Sequence, residues 1–354
     1  MTIEERVRGS LIGGAIGDAL GWPIEFYDLA GIRDRHGARG VTGFLPEYGP
    51  PQAVTDDTQM TLFSAEGLLR RAPGADLAKV LRGAYLRWLD TQSTNGPGGR
   101  PDGWLLDQRF LYAVRAPGNA CMSGLRQQRR GYVAPVSIGR AGKVNPESKG
   151  CGTVMRSAPF GLAGLGPEAA FHAAALCAQL THGHPTGYLS AGAFAALIDR
   201  ALAGTELREA LRETIVQVRE YAHGTQTADA LVRAAHLADT EPATPEVVER
   251  VGAGWVAEEC LAIAVHCALR AENGDIAGAL LLSVNHSGDS DSTGAVAGNL
   301  IGAIHGHSAL PREWAEAVEG RDVLLRVADD LVAQFFRGDR SALANRYPLD
   351  TAST

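Results

Sequence analysis

Cysteine is scarce and unpatterned in this chain. The five thiols, Cys121, Cys151, Cys177, Cys260 and Cys267, are odd in number and lack a metal-ligand spacing. That excludes a disulfide framework and fits reduced thiols in a cytoplasmic protein. Positive charge is not in excess: 33 Lys and Arg stand against 40 Asp and Glu, for a net charge of −7. The balance gives no overall footprint for nucleic acid, and the local cluster Arg126, Arg129, Arg130 reads as solvated surface. No apolar run is long enough to span a bilayer; the one from Leu11 to Leu20 is broken by Asp18. No basic region precedes a long apolar run at the N-terminus, so no signal peptide is expected. Alternating strand runs and repeats of constant period are missing too, which leaves helices.

What is present suffices for a sizeable core: 354 residues, 45% of them hydrophobic and 21% charged. The spacing of Ile3, Val7, Leu11, Ile12 and Ile16 predicts a first helix from the N-cap Thr2 through Leu20. Its second half is nearly all glycine and alanine. Each glycine costs a helix about 1 kcal/mol relative to alanine, so close approach of a backbone or a ligand is expected there. Residues 28–54 read as a long loop. Further helices are expected over 55–71, 75–92, from Val154, over 167–182, 185–203, 205–222, 225–239, 255–272, 274–286, 291–306 and 320–337. Residues 91–103 and 131–149 read as loops, the first mobile and suited to act as a lid. The fold class is all-α, a compact multi-helix bundle in one domain spanning 1–354.

Two acidic, hydroxyl-rich knots interrupt the apolar pattern. One is Val54-Thr55-Asp56-Asp57-Thr58-Gln59-Met60, opening an apolar helix. The other is Asn285-His286-Ser287-Gly288-Asp289-Ser290-Asp291-Ser292-Thr293-Gly294, between two apolar runs. Asp289 and Asp291 are two apart and cannot share a helix face; they fit a turn and the N-cap of the next helix. Either knot alone reads as a cap. Two of them, with Glu25 in Pro-Ile-Glu-Phe, suggest a shared site. Up to five buried carboxylates would repel one another unless protonated or bridged by cations. Oxygen-only donors suit a hard divalent ion, Mg2+ or Mn2+, and the knots hold no His or Cys pair for zinc. Gly150-Cys151-Gly152-Thr153 is a glycine-flanked turn at a helix start, suited to a phosphate. His182 and His184 sit at a helix junction. Cys151 has no basic partner in sequence, so a covalent cysteine mechanism is not expected.

Taken in order, Gly17-Asp18-Ala19-Leu20-Gly21 with Glu25, Thr55-Asp56-Asp57-Thr58, Gly152 to Arg156, Leu180-Thr181-His182 and Gly288-Asp289-Ser290-Asp291-Ser292 resemble the ADP-ribosylglycohydrolase family over nearly the full length. The resemblance implies an all-α fold and a metal-dependent hydrolase cleaving the C1″ glycosidic bond between ADP-ribose and an acceptor. It implies that Thr55, Asp56, Asp57, Asp289, Asp291 and Ser292 hold two divalent cations. Asp56, His182 and the loop Gly150, Cys151, Gly152, Thr153 would contact the ADP-ribose, the loop through backbone N–H groups. Glu25 or Asp57 would act as base. Ser292 and Thr293 both remain open as hydroxyl ligand. Cys151 stands where other members often carry asparagine, which leaves the loop's backbone role and puts a side-chain hydrogen bond in doubt. The expected partner is an ADP-ribosylated protein, nucleic acid or small molecule, with no membrane. The alternative is a non-catalytic ADP-ribose or nucleotide-binding module of the same fold.

Overall fold

The computed structural model describes residues 1–48, 52–98 and 102–351. Among them the chain forms sixteen α-helices. They are α1 (Ile3–Gly21), α2 (Leu29–His36), α3 (Asp56–Arg70), α4 (Leu77–Thr91), α5 (Asn119–Arg130), α6 (Ala158–Leu162), α7 (Pro167–Ala178) and α8 (Pro185–Leu202). Then follow α9 (Leu207–Arg219), α10 (Thr225–Thr240), α11 (Pro245–Val251), α12 (Ala257–Arg270), α13 (Ile276–Leu282), α14 (Ser290–His305), α15 (Arg312–Ala317) and α16 (Arg321–Phe335). No sheet forms among the described residues, only three isolated bridges. None of the described helices is long and apolar enough to cross a membrane.

The core is organised on the pair α1 and α14. Gly9, Gly13, Gly17 and Gly21 recur once per turn along one side of α1. A Cβ on them would stand 2.3, 2.3, 1.9 and 2.2 Å from the carbonyl oxygens of Gly302, Gly298, Gly294 and Ser290. The order is reversed, so the helices run antiparallel with their backbones in contact, and the loss of helix propensity is offset by packing no larger residue allows. Asn299 reinforces the pair, its amide donating to the Ser10 carbonyl at 2.8 Å. Every residue of α8 is buried, and its charged Asp199 and Arg200 are partnered by the Gly166 N–H and the Glu213 carboxylate. It packs on α6, α7, α12 and α14, while α16 covers the far side of α1.

Several expected boundaries shift. Residues 28–54 were expected as loop, yet α2 lies inside them, capped by the Asp28 carboxylate on the Gly31 N–H at 2.7 Å. Only Leu29 and Ile32 of α2 are buried, too few to leave a period in the sequence. The helix expected over 274–286 ends at Leu282. That expected from Val154 starts at Ala158, after a 3-10 turn over Cys151–Thr153. The short helices α11 and α15 start at or just after a proline, Pro245 and Pro311. In the 91–103 stretch, Asp102 is tied down by Arg70 and Arg87; residues 99–101 lie outside the described residues, so that part of the expected lid is not placed.

Candidate active site

Both knots are helix caps, and the caps converge. The Thr55 side chain accepts the Asp57 N–H at 3.4 Å at the start of α3. Asp289 accepts the Ser292 N–H at 3.3 Å at the start of α14. Gly288 turns the chain into that cap at φ +132°, where a Cβ would meet the Ala253 carbonyl oxygen at 2.0 Å. Glu25 follows the 3-10 turn Trp22–Ile24 at the end of α1. Since α1 and α14 are antiparallel, the end of one meets the start of the other. Glu25, Asp289 and Asp291 each bring a carboxylate oxygen within 4.8 Å of the other two. Together with Asp56, Asp57 and Ser292 they line a cleft of about 270 Å³.

Asp18 joins the two halves. Its carboxylate accepts the Thr55 N–H at 3.0 Å, the Thr58 N–H at 3.1 Å and the Thr58 hydroxyl at 2.5 Å. An acid inside α1 thereby caps α3 from outside and fixes where Asp56 and Asp57 point. Asp56 in turn accepts the Gly118 N–H at 3.2 Å.

Burial dominates the electrostatics. It pushes Glu25 up to about 8, with repulsion from Asp289, Asp56 and Asp18 adding to it. It pushes Asp56 up to about 7 and Asp18 up to about 6, against the hydrogen bonds each accepts. Asp57 and Asp291 are raised well above the usual carboxylate range by burial and by each other's neighbours. Two buried oxygens, Asp57 Oδ1 and Glu25 Oε2, have no hydrogen-bond partner. Unpartnered buried carboxylate oxygens are costly. Together with the Ser292 hydroxyl they form a hard oxygen donor set, which fits divalent cations.

Of the residues singled out in the sequence, Glu25, Asp56, Asp57, Cys151, Gly152, Asp289, Asp291 and Ser292 line this cleft. Thr55 stands behind it, its hydroxyl 3.4 Å from Asp57 Oδ2. Of the two hydroxyls left open, Ser292 faces the cleft, whereas Thr293 is spent on the carbonyls of Asp289 and Ser283 at 2.7 and 2.8 Å.

Three residues expected at the ligand do not line the cleft. Thr153 is buried, its hydroxyl on the Gly187 carbonyl at 2.9 Å. The His182 ring packs against Gly150 and Gly152 of the loop. The His182 Nδ1 meets the Thr181 hydroxyl at 2.7 Å, and Arg156 donates to that hydroxyl at 2.6 Å. Burial, then the Arg156 charge, pushes His182 down to about 3, so the ring is neutral. Its place supports the loop. The loop's N–H groups are also partly used: Cys151 donates to the Trp255 carbonyl at 3.1 Å, and Thr153 and Val154 donate within the turn.

The sequence reading passed over Asp18 as a site residue, although a lone acid inside a glycine-alanine helix was its signal. It also passed over Phe26 and Trp255. These rings stack at the cleft with centroids 6.1 Å apart and planes 21° apart, 72% and 43% exposed. Their contact is long-range, and neither local sequence announces it.

The chain is similar to several known proteins over most of its length. The chain is 25% identical to the ADP-ribosyl-[dinitrogen reductase] glycohydrolase of Rhodospirillum rubrum over 325 residues, covering 90% of this chain and 92% of that one. It is 26% identical to the ADP-ribosylarginine hydrolase Tri1 of Pseudomonas putida over 339 residues, covering 92% and 78%. With human ADP-ribosylhydrolase ARH3 the identity is 26% over 347 residues, covering 89% of each. A solved structure described as an ADP-ribosylglycohydrolase-related protein complex superimposes with a TM-score of 0.64 at 27% identity, covering 93% of this chain and 97% of that one. The ADP-ribosylglycohydrolase family profile matches residues 1–340. The chain therefore belongs to the ADP-ribosylglycohydrolase family, hydrolases of ADP-ribose linkages that use divalent metals.

Proposed function

We propose that this chain is a binuclear-metal ADP-ribosyl-acceptor hydrolase. It acts as a single domain in the cytoplasm and cleaves the C1″ bond between ADP-ribose and a protein side chain, nucleic-acid base or small molecule. The observation that carries the reading is the convergence of five carboxylates around one cleft, with Asp57 Oδ1 and Glu25 Oε2 buried and unpartnered. A binder of an anionic nucleotide gains nothing from such a set unless cations accompany it. Two cations, Mg2+ or Mn2+, held by Thr55, Asp56, Asp57, Asp289, Asp291 and Ser292, would supply Lewis-acid polarisation and charge neutralisation.

The chain's own residues do the rest. Asp18 holds the start of α3, so Asp56 and Asp57 are presented at fixed positions without reorganisation. Glu25 keeps a buried oxygen, Oε2, without a hydrogen-bond partner beside Asp289 and Asp291 and can take a proton there. Glu25 or Asp57 takes the proton of the attacking water as its oxygen bonds to C1″. The bond from C1″ to the acceptor breaks, and the acceptor leaves with a proton. Phe26 and Trp255 offer flat apolar faces at the mouth of the cleft for a planar part of the substrate. The five free cysteines accord with a reducing compartment.

Thermal unfolding with and without Mg2+ or Mn2+, each with and without ADP-ribose, tests this reading, with Asp291→Ala as the comparison. A ligand that binds only the folded state adds about 2.7 kcal/mol at a hundred times its Kd. Metal is expected to raise the midpoint, ADP-ribose to raise it further, and Asp291→Ala to abolish the metal response. A wild-type midpoint that neither ligand moves would leave the acidic knots as helix caps only. Acceptor choice is then read by release of ADP-ribose from arginine-linked, serine-linked, base-linked and acetyl-linked substrates.

A further inference from the structure

The cleft has one wall that hard oxygen donors do not explain. Cys151 Sγ lies 2.7 Å from Asp289 Oδ2 and 3.6 Å from the Ser292 hydroxyl. The Met155 thioether lies 4.0 Å from that same hydroxyl. All four side chains line the cleft. Asp57, only 2% exposed, lines it too and leaves Oδ1 without a partner. The same cleft therefore holds five carboxylates and two sulfurs. Thiolate and thioether select softer cations than carboxylate and hydroxyl do. A tetrahedral ion with ligands at about 2.0–2.3 Å sets its donors about 3.5 Å apart. The Sγ–Oγ separation already matches that, and Sγ and Oδ2 need to part by less than about 1 Å.

We propose that Cys151, Asp289 and Ser292, with Met155 as a weaker fourth donor, form a thiophilic cation site for Zn2+ or Cd2+, and that a cation there competes with the hard ions for Asp289. The inference rests on the reading of this cleft as a metal centre. On binding, the S–H bond breaks and an S–metal bond forms. The proton passes to the buffer, and no electrons are transferred. The site gives this chain a sensitivity to zinc-like cations that an asparagine at the same position would not confer, because an amide offers no sulfur.

The test is a Cd2+ titration of the full chain after chelation, read by the thiolate-to-cadmium charge-transfer absorbance. Mn2+ binding is followed in parallel by paramagnetic resonance. The expected result is a band that saturates at about one equivalent of Cd2+ and is lost in both Cys151→Ser and Cys151→Ala. Cd2+ should release bound Mn2+ from the wild type, and the serine variant should need at least about tenfold more Cd2+ to do so, a difference of about 1.4 kcal/mol. A band that persists in both variants, or no band in a wild type that binds Mn2+, would overturn the proposal. A Cys151-dependent band in a protein that binds no Mn2+ would keep it and sink the hard-ion reading instead.

Discussion

Gly17 faces Gly294 so closely that a Cβ on Gly17 would stand 1.9 Å from the Gly294 carbonyl oxygen. Backbone, unlike a side-chain tip, cannot swing aside. Gly17→Ala must therefore part α1 from α14 and, with them, Glu25 from Asp289 and Asp291. Overpacking a core costs about 1–3 kcal/mol, and this contact should lie at or above the top of that range. Chemical denaturation should show the loss, and Mn2+ affinity should fall with it. A variant as stable as the wild type would mean that the two helices can separate without cost.

Asp18 gives the second prediction. Asparagine at this position keeps one acceptor oxygen and turns an amide NH2 toward N–H donors of Thr55 and Thr58. A buried donor left without a partner costs about 1–3 kcal/mol. Asp18→Asn should lower the thermal midpoint in saturating Mn2+ and weaken Mn2+ binding by about tenfold, because the start of α3 loses its anchor. Calorimetric titration and unfolding on the same sample check both effects. Unchanged Mn2+ affinity would show that Asp56 and Asp57 are placed without it.

The pH dependence follows from the raised carboxyl groups. Asp18 at about 6, Asp56 at about 7 and Glu25 at about 8 all stand above their usual range. The folded, metal-free protein then holds protons that the unfolded chain releases near pH about 4. That stabilisation is complete below the unfolded values and is lost as pH rises through the folded ones. The midpoint in chelator should fall between about pH 5 and about pH 8, and saturating Mg2+ or Mn2+ should flatten the slope. A metal-free midpoint that climbs over the same window would contradict the sign.

Trp255 gives the fourth. Its backbone is tied to the loop through the Cys151 N–H, while its ring is exposed beside Phe26. Stacking of a flat base on such a ring contributes about 1–3 kcal/mol. Trp255→Ala should raise KM for an ADP-ribosylated substrate by about ten- to a hundredfold, with a smaller change in kcat and little change in midpoint. An unchanged KM would place the base elsewhere.

The sequence by itself determined the all-α class, because apolar periodicity of 3.6 is a local property of each segment. The two acidic, hydroxyl-rich knots around Asp56, Asp57, Asp289, Asp291 and Ser292 were also legible without coordinates, since the residue types that cap a helix are local to its start. Helix α2 escaped because two buried residues carry no period. Only the tertiary structure decided that Ser292 and not Thr293 faces the cleft, since which hydroxyl a helix turns inward depends on what packs against it. It also decided that Asp18 reaches across to cap α3, that His182 packs against its loop, and that Phe26 meets Trp255. Each of these is a contact between residues far apart in the chain, and the approach of α1 to α14 that brings Glu25 to Asp289 is another. The register of α1 on α14 comes from backbone approaching backbone at glycine, and no single segment encodes it alone.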